Sequence, residues 1–209
     1  MNNKDASNPV FDKLDIAQLL VNWGTWRDAG NFEKLRSCYT DDARMITSWY
    51  DGPAAGFVDI VSQIQPKQPT DQGAMHLIGG TTTEVNGNRA IAETRISILT
   101  RNLLKEQLVD ITVHGRFIDF LRKHNGEWRI QSREPIYDKD FIQAVEPGAT
   151  IELDADELAR QPLGFRHLAY AQVVKGLNVI TTIPSPNSDE ERLLYRKASD
   201  WLKAASLES

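Results

Sequence analysis

Apolar side chains at Ile16, Leu19, Leu20 and Trp23 recur at i, i+3, i+4 and i+7 in an otherwise polar stretch. That period predicts an amphipathic helix over residues 12–29, with Gly30 as its stop. A short helix over 31–39 would bury Phe32 and Leu35. A strand over 43–50, a turn at Asp51-Gly52-Pro53 and a third helix over 57–64 follow. Pro66, Pro69 and Gly73 then break the pattern, and the period changes. β-prone runs over 76–85, 90–99, 108–122 and 128–136 are joined by Asn86-Gly87, a polar bend at 100–106, and Asn125-Gly126. Asparagine–glycine pairs are hairpin turns, because both central positions need positive φ. Three helices followed by meandering strands predict an α+β fold with an antiparallel sheet.

Beyond Tyr137 the pattern shifts again. Short helices are expected over 154–160 and 162–175, the second ending at Gly176, with a strand over 177–183 and a linker over 184–187. Ser188 and Glu191 form a capping box before Leu194, Ala198, Trp201 and Leu202, so the last element reads as an amphipathic helix. The chain therefore divides into a domain over 1–140 and an extension over 141–209, packed on that domain or on a neighbouring subunit.

Composition narrows the chemistry. With 209 residues, 24 basic and 29 acidic side chains give a net charge of -5, which argues against a general nucleic-acid binder. The start up to Pro9 is polar, and no apolar run is long enough to span a membrane, so a soluble cytoplasmic protein is expected. Cys38 is the only cysteine, which excludes an intrachain disulfide and a cysteine-rich zinc site. His76, His114, His124 and His167 show no metal-ligand spacing, and the chain has no dinucleotide loop, phosphate loop or nucleophile elbow. No metal and no cofactor are expected.

One stretch remains conspicuous, Met75-His76-Leu77-Ile78-Gly79-Gly80-Thr81. It places an imidazole, whose ordinary pKa of about 6.5 suits proton transfer near neutrality, at the mouth of a strand. Its two glycines imply a bend or a close backbone approach. Asp28 falls in the last turn of the first helix, where the helix dipole disfavours a carboxylate. Each also has an ordinary reading, a strand-end histidine and a solvated acid. Trp26, Trp49, Tyr50 and Tyr137 could line a pocket for an aromatic compound. His114 shares an alternating face with Thr112 and Arg116, and His167 and Tyr170 could reach over a pocket mouth.

Taken in order, Trp26-Arg27-Asp28-Ala29-Gly30-Asn31-Phe32, the His76 stretch, and Asn125-Gly126-Glu127-Trp128-Arg129-Ile130 resemble the SnoaL-like branch of the NTF2-like superfamily, nearest to its scytalone dehydratase and hexachlorocyclohexane dehydrochlorinase families. The resemblance covers about residues 10–140 and implies a cone: a curved antiparallel sheet closed by three helices around a pocket. It implies a catalytic aspartate–histidine pair at Asp28 and His76, a charge-stabilising arginine at Arg133, no cofactor, a small-molecule substrate, and a dimer or trimer. There are departures. Trp23 stands where the dehydrochlorinases carry a lysine, no second histidine lies between residues 90 and 99, and Gly115 and Phe117 stand near the serine and asparagine of the dehydratases. Trp23 thus joins the candidate binding residues. The implied activity is that of a cofactor-independent lyase on a small aromatic or cyclic hydroxylated compound. The reaction would be dehydration or formaldehyde-releasing carbon–carbon cleavage of a lignin-type aromatic. Alternatives are a ketosteroid-isomerase-like isomerase and a non-catalytic assembly subunit like the small subunit of ring-hydroxylating dioxygenases.

Overall fold

The expected stripe buries one side of helix α1, Pro9–Asp28: Ile16, Leu20 and Trp23 lose all but a trace of their solvent exposure. The structure is a computed structural model that describes residues 9–69 and 71–205; the polar start read above lies, for residues 1–8, outside the described residues. Gly30 stops α1 at φ +68°, and the Asn31 N–H returns to the Trp26 carbonyl at 2.9 Å, the wrap that a left-handed C-terminal residue permits. Asn31 then caps α2, Phe32–Ser37, by accepting from the Lys34 N–H. Helix α3 spans Ala54–Ile64 and buries Phe57, Val58 and Val61.

Six strands form one sheet: β1 Tyr39–Ile46, β2 Asp51–Pro53, β3 Gly73–Asn86, β4 Arg89–Leu104, β5 Gln107–His124 and β6 Glu127–Ala144, in the order β2-β1-β6-β5-β4-β3. The fold is the expected α+β cone with three N-terminal helices, with one change. Strands β1 and β6 pair in parallel, so the sheet is mixed. Turn signals report only on consecutive strands, and these two are separated by most of the domain.

Two strands also outrun their expected ends. The polar stretch at 100–106 is mostly strand, since Arg101 pairs across the sheet with Asp110 at 2.7 Å and only Lys105 and Glu106, both at positive φ, make the turn. Strand β6 continues to Ala144 rather than stopping at Ile136, and so passes through the division drawn at residue 140. Bulges bend the sheet. At the first, Gly79 and Gly80 face Arg95 alone, and a Cβ on Gly79 would sit 3.0 Å from the Arg95 carbonyl oxygen.

The inner face of the sheet meets α1, α3 and a C-terminal helix, α5, Arg166–Val174, which follows a short α4, Ala155–Ala159, and a single 3-10 turn. The strand expected over 177–183 is absent. That stretch is irregular, and its Ile180 N–H bonds the Ser48 carbonyl. The final helix α6, Asp189–Ala204, crosses to the other face, where Leu194 and Ala198 pack on Ile118, Phe120 and Ile136. Its Ser188 cap accepts from the Glu191 N–H at 3.1 Å, as the capping box predicts.

Beneath the inner core, Arg133 is clamped bidentately by Asp119, at 2.6 and 3.0 Å, with both side chains sealed from solvent. Removing one member of a buried pair strands the other charge, whereas replacing both with apolar groups does not. Asp119→Leu is therefore expected to lower unfolding free energy by about 3–5 kcal/mol in urea titrations, and Asp119→Leu with Arg133→Met to recover most of it. A loss under about 1 kcal/mol in the single variant would show that the pair is not held as described. Burial also pushes the Cys38 thiol up to about 12. The folded protein should resist iodoacetamide at pH 8 while the urea-unfolded chain is alkylated stoichiometrically; comparable rates in the two states would contradict the burial of this side chain.

Candidate active site

Asp28 reaches the site because α1 lies unusually close to β3. Gly24 makes this possible: a Cβ there would meet the Ile78 side chain at 2.7 Å. The C-terminal turn of α1 is thereby laid beside the start of β3. One Asp28 carboxylate oxygen accepts the His76 backbone N–H at 2.6 Å, and the other lies 2.6 Å from His76 Nδ1. The clasp offsets the unfavourable helix dipole at this position. A carboxylate only accepts, so Nδ1 carries a proton and, in the neutral imidazole, Nε2 keeps its lone pair. Among the described residues no group bonds Nε2. Trp23 holds the ring edge-on at a centroid distance of 5.5 Å, and is itself fixed by donating from Nε1 to the Tyr39 hydroxyl at 2.6 Å.

The imidazole stands in the wall of a cavity of about 110 Å³. Its apolar lining includes Trp23, Trp49, Phe57, Ile98 and Phe117, and its polar lining includes Arg27, Ser48, Tyr137 and Gln172. Sequence position kept Arg27 out of view, although it is the residue before Asp28. It donates to Gln65, which in turn caps α1 through the Asp28 carbonyl at 2.9 Å. Burial lowers the Arg27 pKa, opposed by the neighbouring Asp28 charge, yet an arginine stays cationic. Arg27 and Asp28 thus set a cation and a carboxylate side by side at this end of the cavity.

Helix α5 delivers the remaining wall. Asp140 of β6 receives the His167 and Leu168 N–H groups at 2.6 and 2.9 Å and His167 Nδ1 at 2.9 Å, which pins the start of the helix. Leu168 and Gln172, one helical turn apart, then share the face turned to the cavity. Gln172 donates to the Ser48 hydroxyl at 2.7 Å, and Ser48 and Tyr137 line the same cavity. Burial pushes Tyr137 up to about 12, so it remains a neutral phenol.

Several expected site residues lie elsewhere. Arg133 does not line the cavity. It sits behind Trp23 and Phe117, 4.1 and 4.4 Å from their ring centroids, neutralised by Asp119. His114 is on the outer sheet face, bonded to Ser97 and stacked on Phe141, because its register partners Ser97 and Leu77 point away from the face that carries His76. Tyr50 packs on Phe57 and donates to the Pro53 carbonyl at 2.7 Å; Trp26 packs on the core under Lys34. His167 is spent as the clamp on Asp140, and the Tyr170 hydroxyl accepts the Asp154 N–H. Trp23, Trp49 and Tyr137 do line the cavity. Among the described residues no group of three or more His, Cys, Asp or Glu side chains is placed to hold a metal ion, and no helix is long and apolar enough to cross a membrane.

Comparison with known proteins places this geometry. Pea pathogenicity protein 2 of Fusarium vanettenii is 27% identical over 218 residues, covering 99% of this chain and 92% of the relative. An uncharacterised protein of Emericella nidulans is also 27% identical, with the same shares covered. Among solved structures, a scytalone dehydratase candidate from Novosphingobium aromaticivorans aligns with a TM-score of 0.53 at 15% identity, covering 69% of this chain and 97% of that one. A type 2 hexachlorocyclohexane dehydrochlorinase gives 0.53 at 14%, covering 70% and 97%. At these identities the two structures establish a shared fold. The SnoaL-like domain model matches residues 9–134, the stretch that carries α1, the Asp28–His76 clasp and most of the sheet, and the chain belongs to the SnoaL-like family.

Proposed function

We propose that the protein is a cofactor-independent lyase, a dehydratase of small neutral ring compounds, in which His76 is the general base and Asp28 orients it. The observation that carries this reading is the clasp itself: a carboxylate 2.6 Å from Nδ1, with the opposite nitrogen unpartnered in the wall of a largely apolar cavity. An assembly subunit has no need of that arrangement. In the proposed step Nε2 removes a proton from carbon, the C–H electrons form a double bond, and the neighbouring C–O bond breaks. The departing hydroxide takes the proton from the imidazolium and leaves as water. Asp28 stabilises the imidazolium while it exists.

Arg27, rather than Arg133, is the cation available for the charge that develops on oxygen, since it lines the cavity without a carboxylate bonded to it. Opposite charges on Arg27 and Asp28 offset each other, which suits a neutral substrate, because a charged one would enter a largely apolar cavity uncompensated. Volume narrows the class further. A cavity of about 110 Å³ is of the order that holds a single ring, as about 150 Å³ holds benzene. Two-ring lignin-type compounds fit it poorly, which favours dehydration over formaldehyde release. The dehydratase and dehydrochlorinase among the structures of this fold supply precedent for elimination chemistry by their names alone.

The test is turnover of a panel of monocyclic β-hydroxy ketones and cyclic diols, followed by mass spectrometry for loss of water. His76→Ala and Asp28→Asn are each expected to lower kcat by roughly 10²–10⁴-fold with the circular dichroism spectrum unchanged. Arg27→Met is expected to lower kcat by roughly 10²–10³-fold. Turnover that survives His76→Ala would contradict the assignment, and a panel wholly untouched by the wild-type protein would favour the assembly subunit.

A further inference from the structure

Two arginines stand near the cavity, and they are held by different chemistry. Arg133 meets both oxygens of Asp119, a carboxylate, and its charge is answered there. Arg27 meets Gln65, a neutral amide. Its Nη1 donates to Gln65 Oε1, and its Nε is sealed from solvent without a partner. Among the described residues nothing bonds Nη2, which is not sealed, so it is the open end of a guanidinium that lines the cavity. The Gln65 amide can be turned only one way. The Asp28 carbonyl only accepts, so it faces the NH2 group at 2.9 Å, and the guanidinium only donates, so it faces Oε1. The side chain also starts from a fixed point. Gln65 closes α3 with its N–H on the Val61 carbonyl, and its own carbonyl receives the Gln68 N–H at 3.1 Å. Phe57, Val61 and Gln65, spaced by four, continue one helical face; Phe57 lines the cavity and Val61 is buried. The helix that supplies one aromatic wall thus also carries the amide that holds Arg27.

We propose that Gln65 is a positioning residue for the reaction: it aims the Arg27 guanidinium through a neutral acceptor, so that the cation reserves its open N–H groups for a substrate oxygen that becomes negative. This deepens the lyase reading and rests on it for the step in which that charge develops. Three properties of the amide matter. It accepts, which fixes Nη1. It donates to the Asp28 carbonyl, which holds the last turn of α1 while neighbouring side chains diverge, Arg27 toward Gln65 and Asp28 toward His76. It also carries no charge. A glutamate of the same size would accept the same bond, but its carboxylate would pair with Arg27 as Asp119 pairs with Arg133, and it would have no proton for the Asp28 carbonyl. Burial lowers the Arg27 pKa, which marks a cation stripped of much of its water. An oxyanion that reaches Nη2 therefore meets a poorly screened charge, worth more there than in water.

The probe is 4-nitrophenol, a single ring whose oxyanion absorbs at longer wavelength than the neutral phenol, so the bound ligand reports its own ionisation. The ionisation midpoint is followed by absorbance across pH, for the free ligand and with the intact protein in excess. Wild type is expected to lower the midpoint by roughly one to three pH units, the effect of a facing cation. Arg27→Met is expected to return it to the free value. Gln65→Glu is expected to do the same, because the added carboxylate takes up the guanidinium. Gln65→Met, which leaves the cation charged but unaimed, is expected to give an intermediate midpoint. Binding of nitrobenzene, which cannot ionise, shows that each variant folds and keeps its cavity. A Gln65 that only caps α1 would change stability and the affinity for both probes without moving the midpoint of bound 4-nitrophenol. A wild-type midpoint retained in Gln65→Glu or in Arg27→Met overturns the proposal. A midpoint unshifted by wild type, or no binding of 4-nitrophenol by wild type, overturns it as well. Turnover is read in none of these arms, so a failed lyase assignment and a failed positioning assignment stay distinct.

Discussion

The two hydrogen bonds that Asp28 receives from His76 tie the end of the first helix to the start of the third strand, and the rest of the cavity is arranged around that knot. A carboxylate at a helix C-terminus is ill-placed on its own. It is stable here because it receives a backbone N–H and an imidazole N–H from the same residue. Gly24 supplies the close approach, Gly30 ends the helix on the next turn, and the Gly79-Gly80 bulge bends β3 just beyond. These features are local, but together they decide which imidazole nitrogen faces the cavity.

The same device recurs on β6, three places from β3 in the sheet order. Asp140 takes the backbone N–H and Nδ1 of His167, and there the result is structural: it sets α5 on the inner face so that Leu168 and Gln172 close the cavity. The difference between the two pairs lies in what surrounds the ring. His76 stands against Trp23 in the cavity wall, whereas His167 lies outside the lining and serves as a clamp. Identical pair geometry therefore carries different consequences, and only the environment separates them.

Much of this was legible in the chain. The helix period of α1, its stop at Gly30, the hairpin at Asn125-Gly126 and the capping box at Ser188 are signals confined to a few residues, and each is found in the structure; the first hairpin is shifted by one residue, since Asn86 pairs with Arg89 and Gly87-Asn88 makes the turn with only Gly87 at positive φ. Long-range pairing was not legible. The parallel contact of β1 with β6, and the continuation of β6 to Ala144, depend on neighbours far away in sequence. Nothing local to Asp138 and Asp140 reveals that Arg116 and α5 pair with them. The site followed the same rule. His76 was conspicuous by its surroundings and Asp28 by its awkward place, but Arg133 carries no mark that distinguishes a catalytic arginine from one bound to Asp119 on the neighbouring strand. Arg27 was hidden by standing next to a more conspicuous residue. Gln172 was invisible, since its partner Ser48 is 124 positions away.

The claim on which the account turns is that the fold holds His76 as the Nδ1–H tautomer with a bare Nε2. Nitrogen-15 NMR of the imidazoles tests it most directly, with His76 assigned by its loss in His76→Ala. The account predicts that Nδ1 carries the proton and Nε2 shows the shift of an unprotonated ring nitrogen, and that Asp28→Asn disturbs this arrangement. A folded protein in which His76 carries its proton on Nε2 would contradict it.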